Sequence, residues 1–255
     1  MTVEFSQIAI LAFASVFAGF IDSVVGGGGL IQIPAIFSVL PKELPATLFG
    51  TNKLASIVGT TSAAIQYSRR VAIPWRVAGP GALAALVGSW YGAKAVAYLD
   101  PAILRPLILV LLVLVAGYTF LRKELGAVSN EPEHGKRSAM LAVVIGGGIG
   151  FYDGFFGPGT GSFLLFAFLM VGFDFLGAAA NARALNFASN ISAAVLFSYF
   201  GIVDFAHAIP MGLAMIVGAW CGARVALSKG AGYVRPLFIV MTTALIGKQL
   251  FELFK

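Results

Sequence analysis

Two related stretches, FIDSVVGGGG at 20–29 and FYDGFFGPGTG at 151–161, decide how this chain folds. Each contains an aspartate followed by a cluster of glycines, in a chain that is 59% hydrophobic and only 11% charged. Glycine costs about 1 kcal/mol per residue relative to alanine inside a helix, and charges inside a membrane are costly and tend to be functional. The two stretches therefore predict a pair of helix breaks that carry a site.

The rest of the chain consists mainly of long apolar segments separated by short polar loops. Soluble domains carry about 25% charged residues, more than twice the fraction in this chain. Several segments reach the roughly 20 residues that a helix needs to cross a bilayer, and they lack the alternation of a membrane β-barrel. We therefore expect an all-α, polytopic transmembrane helical protein surrounded by the lipid bilayer.

Two apolar segments, 29–40 and 160–173, are too short to cross a bilayer alone. A helix of about 12 residues covers about 18 Å of a hydrocarbon core that is about 30 Å thick. Because both segments follow a glycine cluster, we expect them to be the second arms of glycine-broken or re-entrant helices.

The charged residues and the cysteine exclude several classes of protein. The net charge of +6 comes from cations near segment ends, where they orient membrane helices, so we expect no nucleic-acid partner. Cys221 is the single cysteine, and His134 and His207 stand apart, so we expect no metal site. The short motifs of zinc proteases, serine hydrolases and redox enzymes are missing. We expect neither an enzyme nor a cofactor, and no cleavable signal peptide is evident.

The chain reads as two homologous halves on either side of a polar stretch. That stretch, 122–137, separates a first transmembrane repeat at 1–121 from a second at 138–255. We interpret it as a linker between the repeats.

Matching residues in the two halves share nearly one offset. The segment VGSWYGAK at 87–94 matches VGAWCGAR at 217–224, an offset of 130 residues. Two pairs of charged residues correspond at offsets of 130 and 131: Lys53 with Arg183, and Asp22 with Asp153. These matches indicate an internal duplication.

Loop charges predict how the halves are oriented, because cytoplasmic loops carry an excess of lysine and arginine. Loop 69–76 carries three arginines, whereas its counterpart 200–207 carries no lysine or arginine. The bias reverses in the next loop, where 224–235 has more cations than 94–105. The pattern predicts an inverted repeat with 69–76, the linker and 224–235 in the cytoplasm. A parallel repeat is the alternative if the broken helices cross fully.

Most of the 31 glycines are expected to let helices pack closely, since small residues allow membrane helices to approach. The spaced glycines with this expected role are Gly81, Gly88, Gly92, Gly212, Gly218 and Gly222. The clusters at 26–29 and 157–161 are instead expected to break their helices.

Lys53 and Arg183 are the candidate site cations. Each lies between apolar segments, where a lysine or arginine costs roughly 2.5–3.5 kcal/mol on insertion scales. One interpretation is that both cations face a shared anionic ligand. The alternative is local neutralisation, of Lys53 by Asp22 and of Arg183 by Asp153. Uncharged donors suited to an oxyanion flank the cations: Thr51, Asn52, Asn186 and Asn190.

The glycine breaks are expected to add a second attraction for an anion. A helix N-terminus carries about half a positive charge and free N–H groups. The second arms begin near four glycines that we include in the substrate site: Gly28, Gly29, Gly159 and Gly161. Asp22 and Asp153 have two interpretations, as caps of the following arm or as coupling or gating groups that accept a proton.

Three motifs carry a resemblance to a known family: GFIDSVVGGGGLIQIPA at 19–35, TNK at 51–53 and GFYDGFFGPGTGSF at 150–163. The chain resembles the TauE/SafE family of sulfite and organosulfur anion exporters, closest to its YfcA-like branch, over almost its whole length. The resemblance implies a multi-pass transporter with two homologous halves that moves small sulfur-containing anions across the bacterial plasma (inner) membrane.

We therefore expect a secondary transporter that exports small sulfur-containing anions such as sulfite or organosulfonates. The alternatives are an anion channel, which needs a continuous open path, and a transporter of a different small organic anion. The sequence leaves open the anion, the driving ion and whether the chain forms a homo-oligomer.

Overall fold

The structure is a computed structural model that describes residues 4–100, 102–103 and 135–229. Two of the long apolar segments of the sequence, 233–254 and nearly all of 101–121, lie outside the described residues, and so does most of the linker. The described residues contain these helices and no strand: α1 (Phe5–Val25), α2 (Gly29–Val39), α3 (Pro45–Ser68), α4 (Trp75–Tyr98), α5 (Lys136–Phe155), α6 (Thr160–Val171), α7 (Phe175–Tyr199) and α8 (Phe205–Lys229). The all-α prediction is confirmed.

The helices have the lengths and surfaces of a multi-pass membrane protein. α1, α5 and α8 are each long and apolar enough to cross a bilayer. α2 and α6 have only 11 and 12 residues, or about 17 Å at 1.5 Å per residue. Large apolar side chains are exposed along the long helices, among them Phe13, Leu83 and Leu213. Such a surface suits contact with lipid and not with water.

Both predicted helix breaks are present. The chain leaves the helical conformation between α1 and α2 and again between α5 and α6. Gly26, Gly157 and Gly159 have φ angles of 73°, 94° and 83°, a region that residues with a side chain rarely adopt. The Tyr152 hydroxyl donates a hydrogen bond to the carbonyl oxygen of Pro158 and stabilises the second break.

Each broken pair forms a hairpin that returns to the end of the molecule where it began. Leu11 near the start of α1 packs in one apolar cluster with Leu40, which follows α2, and with Leu48 of α3. In the second half, Ala142 near the start of α5 shares a cluster with Phe173, which follows α6. Both broken helices are therefore re-entrant in form.

The two hairpins begin at opposite ends of the molecule. At one end of the molecule, here called the basic end, the start of α4, the start of α5 and the end of α8 belong to one apolar cluster through Val77, Ala142 and Ala226. The other end joins the start of α3 to the loop before α8 through Phe49 and Val203. α1 begins at this second end and α5 at the basic end, so the two corresponding helices run in opposite directions. This arrangement agrees with the inverted repeat, which stays a prediction.

The two halves interlock through two close helix crossings, α1 along α8 and α5 along α4. A Cβ added to Gly218 would lie 1.9 Å from the carbonyl oxygen of Val16, and one added to Gly88 would lie 2.3 Å from that of Gly147. These four residues correspond at the same offsets of 130 and 131 as the charged residues. Only glycine fits at such crossings, as also at Gly81, Gly92 and Gly222, whereas a Cβ added to Gly212 would lie a tight but less severe 3.3 Å from the Val58 side chain of α3.

Candidate functional site

The two helix breaks touch each other. A Cβ added to Gly26 would lie 2.2 Å from the carbonyl carbon of Gly161, so the two backbones meet with no room for a side chain. The hydroxyl of Ser162 donates hydrogen bonds to the carbonyl oxygens of Val25 and Gly26. The start of α6 is thereby fastened to the end of α1.

A cavity of about 360 Å³, counting the open space at its mouth, lies beside this contact. Nine of the residues that the sequence predicts for the site line it: Asp22, Gly29, Asn52, Lys53, Asp153, Gly159, Gly161, Asn186 and Asn190. The other lining residues are Ser56, Thr60, Gly157, Thr160 and Met215. The structure thus brings residues of both halves to one polar cavity.

Lys53 of the first half forms an ion pair with Asp153 of the second half. Its Nζ lies 2.7 Å from Oδ1 of Asp153, and both side chains are only 3% exposed. The same nitrogen donates a hydrogen bond of 3.1 Å to Oδ1 of Asn190. A Cβ added to Gly157 would lie 3.0 Å from Nζ, so this glycine leaves room for the cation. The local pairing of Lys53 with Asp22 is wrong, because the break carries Asp153 of the other half to the lysine.

The second carboxylate oxygen of Asp153 is also occupied. It accepts a hydrogen bond of 2.6 Å from the hydroxyl of Ser189. Asn190 in turn donates to Oδ1 of Asn186 at 3.0 Å. The sequence does not single out Ser189, because a serine within a helix commonly bonds its own backbone and no spacing distinguishes this one.

Arg183 lies outside the cavity wall and is completely buried. None of its three side-chain nitrogens has a hydrogen-bond acceptor in the described residues. Its guanidinium carbon lies 5.6 Å from the centre of the Tyr67 ring, and a Cβ added to Gly161 would lie 3.4 Å from Nη1. The local pairing of Arg183 with Asp153 is also wrong, since Asp153 pairs with Lys53. A buried cation without a carboxylate is costly, so Arg183 is the most conspicuous unsatisfied group near the breaks.

Asp22 lines the cavity and is 9% exposed. Its Oδ1 accepts hydrogen bonds of 3.3 Å from the amides of Gly27 and Gly28, which agrees with the capping interpretation. Neither Lys53 nor Arg183 forms an ion pair with it. Gly28, which the sequence predicts for the substrate site, donates its amide to Asp22 and does not line the cavity.

Thr51 is the remaining predicted site residue that does not line the cavity. Its hydroxyl donates to the carbonyl oxygen of Thr47 at 2.7 Å and accepts from the amide of Asp204 at 2.9 Å. Thr51 therefore connects α3 to the loop before α8 and leaves its neighbours Asn52 and Lys53 facing the cavity.

The N-terminus of α6 faces the cavity through Thr160 and Gly161. The amides of Gly161 and Ser162 have no backbone acceptor among the described residues. Free amides at the start of a helix, together with the helix dipole, favour a negative charge. The start of α2 is occupied by the Asp22 carboxylate. Within the part of the chain that the structure describes, no carboxylate binds the N-terminus of α6.

α3 and α7 present matched polar faces. Lys53, Ser56 and Thr60 follow one face of α3 at a spacing of three and then four residues, which places them on neighbouring turns. The helix α7 carries three polar residues at the same spacing, each 130 positions after its counterpart on α3: Arg183, Asn186 and Asn190. The hydroxyl of Ser56 donates a hydrogen bond to the side-chain oxygen of Gln32, and that of Thr60 donates to a carbonyl oxygen of its own helix. The two faces therefore carry polar groups at matched positions, and Ser56, Thr60 and Asn190 donate their hydrogen bonds within the protein.

The whole chain is similar to membrane transporters. The sequence model of the family described as sulfite exporter TauE/SafE matches residues 11–248. A probable membrane transporter protein, ORF9, from Sinorhizobium is 37% identical over 94% of this chain and 91% of its own length. The probable membrane transporter protein YfcA of Escherichia coli K12 is 36% identical over 96% of this chain and 90% of its own length.

A third relative extends the similarity to nearly every residue. A probable membrane transporter protein from Haemophilus influenzae is 32% identical over 99% of this chain and 98% of its own length. No solved structure matches the chain. The multi-pass transporter class and the resemblance read from the motifs are confirmed, and this protein belongs to the sulfite exporter TauE/SafE family.

Proposed function

We propose that this protein is a secondary transporter that exports a small sulfur-containing anion, such as sulfite or an organosulfonate, across the bacterial plasma membrane. The observation that carries the proposal is the convergence of Lys53, the buried Arg183 and the free amides of α6 on the contact between the two breaks. The family's printed description and the relatives' printed names support transport.

The chemistry of the cavity suits a small oxyanion. Amide, hydroxyl and ammonium groups line it, and these donate hydrogen bonds to anionic oxygens. Asp22 and Asp153 balance the formal charge of the two cations, so the helix N-terminus supplies the extra positive potential. The centre of a water-sized group can occupy only about 20 Å³ of this cavity, so little space is left for a ligand. The site therefore favours a compact anion over a sugar or a nucleotide.

The burial of the site favours a transporter over a channel. Lys53, Asn186 and Asn190 are 2%, 3% and 3% exposed, and Arg183 is fully buried. A channel needs a continuous path past its selective groups, whereas a transporter holds its ligand in an occluded site.

Surface charge supports a cytoplasmic assignment for the basic end. The described lysines and arginines exposed there are Arg69, Arg70, Arg76, Lys136, Arg137, Arg224 and Lys229. The opposite end has Lys42 and Lys94 together with Glu4, Glu43, Asp100 and Asp204. By the positive-inside rule the basic end faces the cytoplasm, which would make export a movement away from it.

A thermal-shift screen of the purified protein tests the proposal. Sulfite, thiosulfate, sulfate, methanesulfonate and chloride would each be added, because a ligand that binds only the folded protein raises the melting temperature. We expect one of the sulfur oxyanions to raise it at a concentration at which chloride does not, and the Arg183→Gln variant to lose that response. Identical responses to all five salts would contradict an anion site of this kind.

A further inference from the structure

The two halves supply the same charged residues, yet the described structure forms only one of the two ion pairs that this allows. Lys53 of the first half pairs with Asp153 of the second at 2.7 Å. At the common offsets the corresponding pair is Arg183 of the second half with Asp22 of the first. These two residues do not pair: Arg183 has no acceptor, and Asp22 binds only backbone amides.

The two residues of the unformed pair are linked through the contact between the two helix breaks. Nη1 of Arg183 lies against Gly161, and Gly161 meets Gly26 backbone to backbone. The amide of Gly26 donates to the carbonyl oxygen of Asp22 at 2.8 Å. A shift of the two breaks relative to each other would therefore change the separation between the carboxylate and the guanidinium.

The cavity, like the ion pairs, treats the two halves differently: it reaches a residue beside Lys53 but not the corresponding residue beside Arg183. It reaches Asn52, next to Lys53. The residue that corresponds to Asn52 is Ala182, which is completely buried beside Arg183 in the apolar cluster of the basic end. The Lys53 side is thus open to the cavity, whereas the Arg183 side is closed.

We propose that Asp22 and Arg183 form the second of two exchangeable ion pairs, which closes when the Lys53–Asp153 pair opens. The exchange moves the cavity from the side of Asn52 to the side of Ala182. Because each state keeps one buried pair and leaves one pair open, the two states remain close in free energy, which an alternating-access cycle needs. The inference rests on the proposed transport function, since it describes how that site changes sides.

Cysteine labelling of the purified protein tests the exchange without any added anion. Two reporters, Asn52→Cys and Ala182→Cys, are made separately in a Cys221→Ser background, because the native cysteine is exposed. The rate of reaction with N-ethylmaleimide measures access to each side. Each reporter is combined in turn with two double variants. The first carries Lys53→Gln and Asp153→Asn, and the second carries Asp22→Asn and Arg183→Gln. Double variants leave no single buried charge unpaired, so they disturb folding less than single ones. Glu43→Gln, at a partly exposed acid outside the cavity, is the control.

Opposite shifts support the exchange. Removal of Lys53 and Asp153 should raise the Ala182→Cys rate relative to the Asn52→Cys rate by about ten-fold or more. Removal of Asp22 and Arg183 should lower the Ala182→Cys rate relative to the Asn52→Cys rate, because the pair that closes in the other state is lost, and the control should change neither. Shifts in the same direction, or unchanged rates in both double variants, overturn the proposal. Sulfite binding to the protein with native charges is scored separately: opposite labelling shifts without sulfite binding would contradict the proposed substrate and leave the exchange standing.

Discussion

Replacing Gly161 with alanine adds one methyl group at the place where the two helix breaks touch. That carbon would lie 2.6 Å from the Cα of Gly26 and 3.4 Å from Nη1 of Arg183. Carbon atoms pack best at about 3.5–4.0 Å, so the breaks must move apart by about 1 Å. Overpacking of this kind costs about 1–3 kcal/mol. Since Gly161 is helical, alanine returns up to about 1 kcal/mol through helix propensity, and we expect a net loss of about 1–2 kcal/mol.

Thermal unfolding in detergent measures this loss. For a chain of this size, 1 kcal/mol corresponds to about 2–4 °C, so the Gly161→Ala variant should melt about 2–8 °C below the native protein. Gly148→Ala is the matched control, because Gly148 also lies in a helix and a Cβ there would meet nothing within 4 Å. The control should melt at or slightly above the native temperature. Equal melting temperatures for the two variants would refute the contact between the breaks.

Three further changes test other parts of the structure. Asp153→Asn should lower the free energy of unfolding by about 3–5 kcal/mol because it leaves Lys53 buried and unpaired. Adding Lys53→Gln should recover much of that loss. Chemical denaturation measures both variants, and a double variant less stable than the single one would contradict the ion pair. Ser189→Ala removes a 2.6 Å bond to Asp153 and should cost about 1.5–3 kcal/mol, whereas no measurable change in melting would argue against that contact. Single cysteines at the exposed positions 206 and 229 should react with an impermeant reagent from opposite faces of the membrane, and reaction from one face would rule out the inverted repeat.

The fold was largely predictable because its determinants are local. Glycine clusters cannot continue a helix at low cost, so the breaks at 26–29 and 157–161 follow directly from composition. The short apolar lengths of α2 and α6 likewise predict arms that do not cross a bilayer. The spaced glycines could be assigned to close packing because no larger residue fits where Gly88 and Gly218 meet backbone.

The site was predictable as a set of residues but not as a set of pairs. Buried polar residues in an apolar chain indicate a cavity, and nine of the predicted residues line it. Which carboxylate meets Lys53 depends on how the halves interlock, and that is a long-range property with no sequence signal. The local pairing failed for this reason, and the unsatisfied state of Arg183 could be seen only once the other half was in place.

Anion flux through proteoliposomes tests the central claim most directly, namely that the cavity between the two breaks carries the substrate. Radiolabelled sulfite transport would be compared between the native protein and the Lys53→Gln, Arg183→Gln double variant, with melting temperature and gel filtration as checks of folding. Removal of both cations takes away the charge that would hold the anion, so we expect flux in the native protein and only background flux in the folded double variant. Native flux from the folded double variant would contradict the account.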